Sequence, residues 1–354
     1  MSYFVGVDIG GTTSTIAIGD GHGRVVHVSD QFATNAVTGP DASIRAIVDA
    51  IQAGISAIGA TPDQISAVGL ATPGPATLDG ILLKTPNLNP DLWDRYPIRG
   101  GLETGLRAAG FDLCVHYIGD GQAAALGEYA VRKGELTGTR ESEAVSADAS
   151  LNSLFMVIVG TGLGGGEIRE GRVVRGLEGR AGHAGHVLLP SYAFRYEQDG
   201  QLQVGNAQAT VESAVSLTGL THQLSYRLQL EQWKNHPLNQ AEGSVRDKAK
   251  RLRELADAGD ELALQLFDDQ ARALGIAMLN YNYLGDYDLL VIGGGVCDLS
   301  ESVRERYRKA AEDAYRQYAL DGFRNLSHME FSACGDAAPV LGALAHAVAS
   351  HSAT

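Results

Sequence analysis

The chain has 354 residues, 44 of them glycine, with 44% hydrophobic and 20% charged residues. That apolar content supports a sizeable core, in two domains or one large one, and excludes disordered and fibrous classes. Against 28 basic residues stand 42 acidic ones, and the resulting net charge of −14 argues against a nucleic-acid partner because it repels a phosphate backbone at long range.

The first ten residues already read as a strand and a turn, with no signal peptide, and no apolar run approaches the roughly 18 to 20 residues that cross a bilayer. Residues 3 to 28 alternate short β-rich runs with glycine turns and predict a strand meander. Ile44, Ile47, Val48, Ile51, Ile55 and Ile58 then recur at helical spacing after a Pro40-Asp41 start signal. ISAVGLATPGP reads as a buried strand ending in a Pro-Gly turn, and LLKTPNLNPDLWDRYP as an irregular loop. FDLCVHYIGD is a strand and QAAALGEYAVRK a helix, which places Asp120 at their junction; residues 134–150 read as an exposed excursion.

SLFMVIV followed by GTGLGGG opens a second pass over the pattern of residues 3 to 28. Gly171-Arg172-Val173-Val174 repeats Gly23-Arg24-Val25-Val26, which indicates an internal duplication. A helix begins near ATVESAVSL, and the region from about Ser244 to Leu284 is mainly helical, its charged early portion VRDKAKRLRELADAGDE reading as a solvated helix face. DLLVIGGGV is strand plus turn, followed by an amphipathic helix from Ser300, a strand near HMEFSA and an alanine-rich last helix. Strands alternating with helices predict an α/β fold. Cys114, Cys297 and Cys334 are scattered and odd in number, which fits a reducing, cytoplasmic setting.

Three glycine-rich turns each follow an apolar strand: Gly10-Gly11-Thr12-Thr13, the run from Gly160 through Thr161 and Gly162 to Gly166, and Gly293-Gly294-Gly295. Glycine lets backbone amides approach a phosphate closely and threonine adds a hydroxyl donor, so the three together favour nucleotide phosphates over mere tight turns. None continues as a Walker A loop. Asp8, just before the first turn, is placed to hold magnesium through water. Asp120, ahead of a helix, is either an N-cap or a base that takes a hydroxyl proton during phosphoryl transfer. His183 and His186 line a polar rim or contribute to a metal site, and Glu212 either stabilises the first turn of its helix or faces a polyhydroxylated ligand.

The order of these motifs resembles the ROK family of sugar kinases and related proteins, within the actin-like ATPase superfamily. VGVDIGGTTSTIAIGD is similar to its first phosphate motif, ATPGP and PNL to its sugar-side loop, and IGDGQAAALGE to its catalytic Asp segment. VGTGLGGGEIREGRVVRG is similar to its second phosphate motif, LLVIGGGV to its adenosine-side turn and GDAAPVLGALAHA to its closing helix. The resemblance implies two ribonuclease H-like α/β domains flanking a central cleft. The expected division is a smaller domain, 1–118 plus the last helix at about 337–354, and a larger one, 119–336.

The resemblance further implies an ATP-dependent carbohydrate kinase that phosphorylates a sugar hydroxyl, typically the 6-hydroxyl of a hexose, with Asp120 as general base and Mg²⁺ accompanying ATP. Gly74, Asn87, Gly119, His183, His186 and Glu212 fall at sugar-side positions. Asp8, Gly10, Gly11, Thr12, Thr13, Thr161, Gly162, Gly294 and Gly295 fall at ATP-side positions. A homodimer is implied as well.

The sequence departs from the family pattern where specificity is set. Gln203, Gly205 and Thr210 stand where the family has zinc-binding cysteines, so no structural zinc is expected. His183 replaces the glutamate of the Glu-x-Gly-His motif, and Gly119 replaces an asparagine before the catalytic Asp, which puts ordinary glucose specificity in doubt. The alternatives are a non-catalytic sugar or nucleotide sensor and a kinase using polyphosphate as donor. A DNA-binding repressor is disfavoured because the first phosphate motif begins within ten residues of Met1.

Overall fold

The computed structural model describes residues 2–83, 88–325 and 328–352. In chain order the first elements are β1 (Tyr3–Ile9), β2 (Thr13–Asp20), β3 (Val25–Val28), β4 (Phe32–Ala33), α1 (Pro40–Ala57) and β5 (Ile65–Thr72). There follow α2 (Pro90–Trp93), α3 (Ile98–Ala108), β6 (Cys114–Gly119), α4 (Asp120–Lys133), α5 (Arg140–Glu143), β7 (Leu154–Val159), β8 (Leu163–Arg169) and β9 (Arg172–Val173). The rest is α6 (Val211–Ala214), α7 (Leu217–Arg227), α8 (Pro237–Gln240), α9 (Val245–Lys250), α10 (Leu252–Asp257), α11 (Glu261–Gly285), β10 (Leu289–Gly294), α12 (Glu301–Tyr318), β11 (Met329–Phe331) and α13 (Ala338–Ser352). Single helical turns form in the loop expected to be irregular, where the Asn89 side chain caps α2 on the Asp91 N–H, and in the exposed excursion, where Thr139 caps α5 on Ser142. The helix expected from ATVESAVSL divides at Val215 and Ser216, where the Ser216 hydroxyl caps α7.

The chain forms two compact units, one of Met1–Leu154, Gly166–Gly182 and Ala333–Thr354, the other of Phe155–Gly165 and His183–Ser332. The division therefore falls near residues 155 and 333, and α4, which the sequence reading gives to the larger domain, packs inside the first unit. The reason is its contact with α13. Each helix brings a glycine to the seam, and a Cβ on Gly127 or Gly342 would run into the carbonyl of Ala338 or Ala123 respectively. Side chains longer than hydrogen at these positions would push the helices apart.

The first unit is built on a sheet of order β3-β2-β1-β5-β6, antiparallel through β2 and parallel from β1 to β6. Its central strands β1, β2 and β5 are buried on both faces, which is why they read as near-continuous apolar runs, whereas β3 at the edge exposes Val26 and Val28. One face carries α1 and α3, whose Ile44, Ile47, Ile51, Leu102 and Leu106 join Val5, Val7, Val68 and Leu70 in one core cluster. On the other face α13 lies so close that Gly6 and Gly69 have no room for a Cβ beside the carbonyls of Val340 and Ala343. Glu128 of α4 is fully buried and accepts the backbone N–H groups of Ala333 (2.8 Å) and Cys334 (3.1 Å) and the Nε of Arg132 (2.7 Å). It thereby fixes the turn that leads into α13.

The second unit rests on β7, β10 and β11, with β10 and β11 parallel, and on the helical pair α11 and α12, where Gly275 meets the Ala311 carbonyl. Phe155 stacks on Tyr281 at 4.6 Å between ring centres within its core. The two Gly-Arg-Val-Val segments read from the sequence each form the turn and outgoing strand of a hairpin, and both segments lie in the first unit. Gly23 (φ 80°) turns the chain into β3, and Gly171 (φ 71°) turns β8 into β9 with Ile168 opposite Val173.

Residues 183–210 contain little regular structure and are held by a buried ionic cluster. The guanidinium of Arg227 is fully buried, donates to both carboxylate oxygens of Asp199 at 2.7 and 2.8 Å, and reaches Asp269 at 3.1 Å. It also lies 4.2 Å over the Tyr196 ring. Arg195 closes the cluster on Asp269 at 2.6 Å.

Candidate active site

Parallel pairing aligns the carboxyl ends of three strands in the first unit. Asp8 lies opposite Ala71, and Thr72 opposite Gly119, so the strand ends deliver Asp8, the Thr72-Pro73-Gly74 turn and Asp120 to one edge of the sheet. Ligands of open α/β sheets bind at such edges. Asp120 is the first residue of α4, and one of its carboxylate oxygens accepts the Gly121 N–H at 2.7 Å. Burial pushes its pKa up to about 6, against the opposing pull of the backbone hydrogen bonds. Asp8 is pushed further, to about 7, by burial and then by the negative charges of Asp120 and Asp336.

Asp336, in the short turn before α13, was not singled out in the sequence. The signal was a Gly-Asp pair ahead of a helix, but nothing local shows that α13 returns to the edge where β1 and β6 end. The negative charges of Asp120 and Asp336 acting on Asp8 favour a cation there, and magnesium with its oxygen preference fits. Among the described residues no group of three or more His, Cys, Asp or Glu side chains is arranged to ligate a metal directly. That is compatible with an ion held on Asp8 through water.

The first glycine turn is fixed from outside. Gly10 donates its N–H to the Thr13 carbonyl at 2.9 Å, while Thr34 donates its hydroxyl to the Gly10 carbonyl and its N–H to the Thr12 carbonyl, each at 2.9 Å. Thr12 is exposed and Gly11 half-buried on this supported turn. Asn87, assigned to the sugar side, lies outside the described residues.

In the second unit, Glu212 organises the second glycine turn. Its Oε2 accepts the Leu163 N–H at 2.8 Å, and the same carboxylate lies against Gly162 and Gly185, where a Cβ would crowd it. Gly185 sits between His183 and His186, whose exposed rings are 6.2 Å apart on one turn. Tyr281 pins that turn by donating its hydroxyl to the Ala184 carbonyl at 2.8 Å. Glu212, Gly162 and the histidine turn, found separately in the sequence, thus form one cluster.

The third glycine turn meets the second. Gly294 has φ 79°, and a Cβ there would strike the Val159 backbone, so only glycine lets the ends of β10 and β7 come together. A pocket of about 280 Å³ opens at this junction, with Gly160, Thr161, Gly295, Lys250 and Arg253 among its walls. Lys250 and Arg253 are functional candidates that the sequence reading missed, because it assigned their stretch to a solvated face.

Comparison with known proteins identifies the family and the fold. A model of the ROK family matches residues 4–349. A glucokinase from Halalkalibacterium halodurans is 27% identical over 344 residues, which span 96% of this chain and 93% of that protein. Among solved structures, a ROK hexokinase from Thermus thermophilus superposes with a TM-score of 0.76 at 26% identity, covering 99% of this chain and 100% of the other. A ROK family glucokinase from Streptomyces griseus, in complex with glucose and AMPPNP, gives a TM-score of 0.71 at 26% identity over 98% of this chain and 99% of the other.

Proposed function

The chain belongs to the ROK family, and from that premise we propose that it is an ATP-dependent sugar kinase that transfers the γ-phosphoryl group to the 6-hydroxyl of a hexose, with Asp120 as general base. The observation that carries this reading is the Asp120 carboxylate: it stands at the carboxyl edge of the parallel strands, one oxygen is occupied by the Gly121 N–H, and its pKa lies near 6. A base of that strength is ionised at neutral pH and still basic enough to take the hydroxyl proton as the oxygen attacks phosphorus. Phosphoryl transfer demands little else but positioning and charge stabilisation.

Asp8 is the residue fitted to hold the magnesium that accompanies ATP, and the ion would supply charge neutralisation to the phosphoryl group in transfer. Gly10, Gly11, Thr12 and Thr13 are assigned to the donor phosphates in the first unit. Thr161, Gly162, Gly294 and Gly295 are assigned to the donor in the second. Gly74, Asn87, Gly119, His183, His186 and Glu212 are assigned to the sugar. His183 and Gly119 replace an acidic and an amide side chain of the family pattern, so the preferred sugar differs in the hydroxyls it presents there. A homodimer belongs to the same reading and is checked by light scattering.

The test is magnesium-dependent ADP release across hexoses, N-acetylhexosamines and ketoses, with Asp120→Asn run in parallel. Turnover on one sugar, lost in the variant, supports the kinase. Tight sugar binding by a folded chain with no turnover from ATP or polyphosphate identifies a sensor instead.

A further inference from the structure

Residues 246–253 carry five cations, Arg246, Lys248, Lys250, Arg251 and Arg253, against the single carboxylate of Asp247, within a chain whose net charge is −14. From the sequence this is a solvated face. In the fold, α9 and α10 run almost continuously through Arg251, and Arg246, Lys250 and Arg253 recur at the i, i+4, i+7 spacing of one helical face. That face turns toward the pocket at the second and third glycine turns. Lys250 and Arg253 line it beside Gly160, Thr161 and Gly295, and the Arg246 guanidinium lies 3.5 Å from the Thr161 hydroxyl. Lys248 and Arg251 are off this face.

Both pocket cations have exposed acidic neighbours, Lys250 with Asp247 at 3.7 Å and Arg253 with Asp298 at 2.9 Å. Such solvated pairs are weakly held and give way to a multivalent anion. Elsewhere the wall includes the apolar side chains of Leu217, Leu220, Phe267 and Val296. Gln270, the one side-chain amide of that wall, is buried and already engaged, accepting from the Tyr307 hydroxyl at 3.2 Å and donating to the Ser216 carbonyl at 3.5 Å. One N–H and one lone pair remain, but the buried side chain presents little of them to a base.

We infer that this pocket selects its phosphoryl donor by the charge of the phosphate chain rather than by the base, with Arg246, Lys250 and Arg253 gripping the phosphates of a nucleoside triphosphate and the apolar wall accepting any base. The inference rests on the kinase reading and names the donor class of that same site. Cations on a rigid helix face bind phosphate through geometry as well as charge, whereas Leu and Phe walls contact purines and pyrimidines alike.

The experiment is calorimetric binding of ATP, GTP and CTP to the full chain with magnesium and without sugar, for wild type and for Lys250→Ala, Arg253→Ala and Lys248→Ala. The wild type is expected to bind all three nucleotides within about fivefold of one another, with Lys250→Ala and Arg253→Ala each weakening every one by about tenfold. Lys248→Ala carries the same loss of net charge and is expected to bind as wild type does. Binding untouched by the Lys250 and Arg253 variants, weakening by Lys248→Ala equal to theirs, or a preference for ATP beyond about a hundredfold overturns the inference and leaves the kinase reading intact. A wild-type chain that binds none of the three overturns both.

Discussion

The Oε2 of Glu212 accepts the backbone N–H of Leu163 at 2.8 Å, and Gly162 lies against the same carboxylate. One side chain therefore supports the second glycine turn while its helix brings it beside the histidine turn at Gly185. Hydrogen bonds to charged groups contribute about 1.5 to 3 kcal/mol, roughly twice the neutral value. Glu212→Ala is expected to raise KM for the sugar and for ATP together, with kcat/KM lower by about 10- to 100-fold. Steady-state kinetics with each substrate varied in turn reads this directly. A change confined to the sugar KM would show that the Leu163 contact has no part in donor binding.

Asp120 sets activity and stability in opposition. A carboxyl whose pKa is higher folded than unfolded binds its proton more tightly when folded. Its contribution to stability is therefore greatest below the unfolded value of 3.8 and is lost as pH rises through about 6. At pH 8 the full cost of an ionised, largely buried carboxylate is present, on the order of 3 kcal/mol at most. Asp120→Asn should lower kcat by about 10² to 10⁴ and at the same time raise the denaturant midpoint at pH 8, with little gain at pH 4. For the wild type, kcat/KM should fall about tenfold per pH unit below about 6, where the base is protonated. A variant no more stable at pH 8 would show that the Asp120 carboxylate carries no such cost.

Much of the fold, and the positions of several candidate site residues, were legible in the sequence because they rest on local patterns. Strand, glycine turn and strand give β1 to β3, and an apolar run ending in Gly119-Asp120 gives β6 followed by α4, so the junction that carries Asp120 is legible locally, whereas its assignment as a base rests on the family resemblance. Asp336 was missed because its role comes from the return of α13 to the first sheet, a contact between residues far apart in the chain. Lys250 and Arg253 were missed for the opposite reason. Their local pattern, charges at helical spacing, fits a solvated face and a pocket wall equally well, and only the packing of α9 beside α7 decides between them. The domain division was misplaced at residue 119 because the glycines of α4 and α13 announce close packing without naming the partner.

The buried cluster around Arg227 holds the irregular stretch where the family pattern has its cysteines. Removing one member of such a cluster leaves a charge buried without its partner, which costs about 3 to 5 kcal/mol. Arg227→Met is expected to destabilise the second unit by that amount, chiefly through Asp199, since Asp269 keeps Arg195 at 2.6 Å. Adding Asp199→Asn to the same chain removes the stranded charge and should recover part of the loss. Chemical denaturation of the wild type, the single variant and the double variant tests this; a double variant less stable than the single one would contradict it.

His346 of α13 ties the last helix to the strand that ends beside Asp120, through its Nε2 and the Tyr117 carbonyl at 3.2 Å. Burial, followed by the positive charges of Arg175 and His116, pushes its pKa down to about 4. The folded state thus resists a proton that the unfolded chain accepts near 6.5. The corresponding stability is fully present above pH 6.5 and is lost as pH falls toward 4, up to about 3 kcal/mol. His346→Gln keeps a donor for the Tyr117 carbonyl and takes up no proton, so its stability should vary less between pH 6.5 and 4 than that of the wild type. Melting temperatures measured across that interval decide the matter: parallel curves for the two proteins would mean that another group controls acid unfolding. A flatter curve for the variant would identify His346 as the residue through which mild acid loosens α13 from the edge of the sheet that carries Asp8 and Asp120.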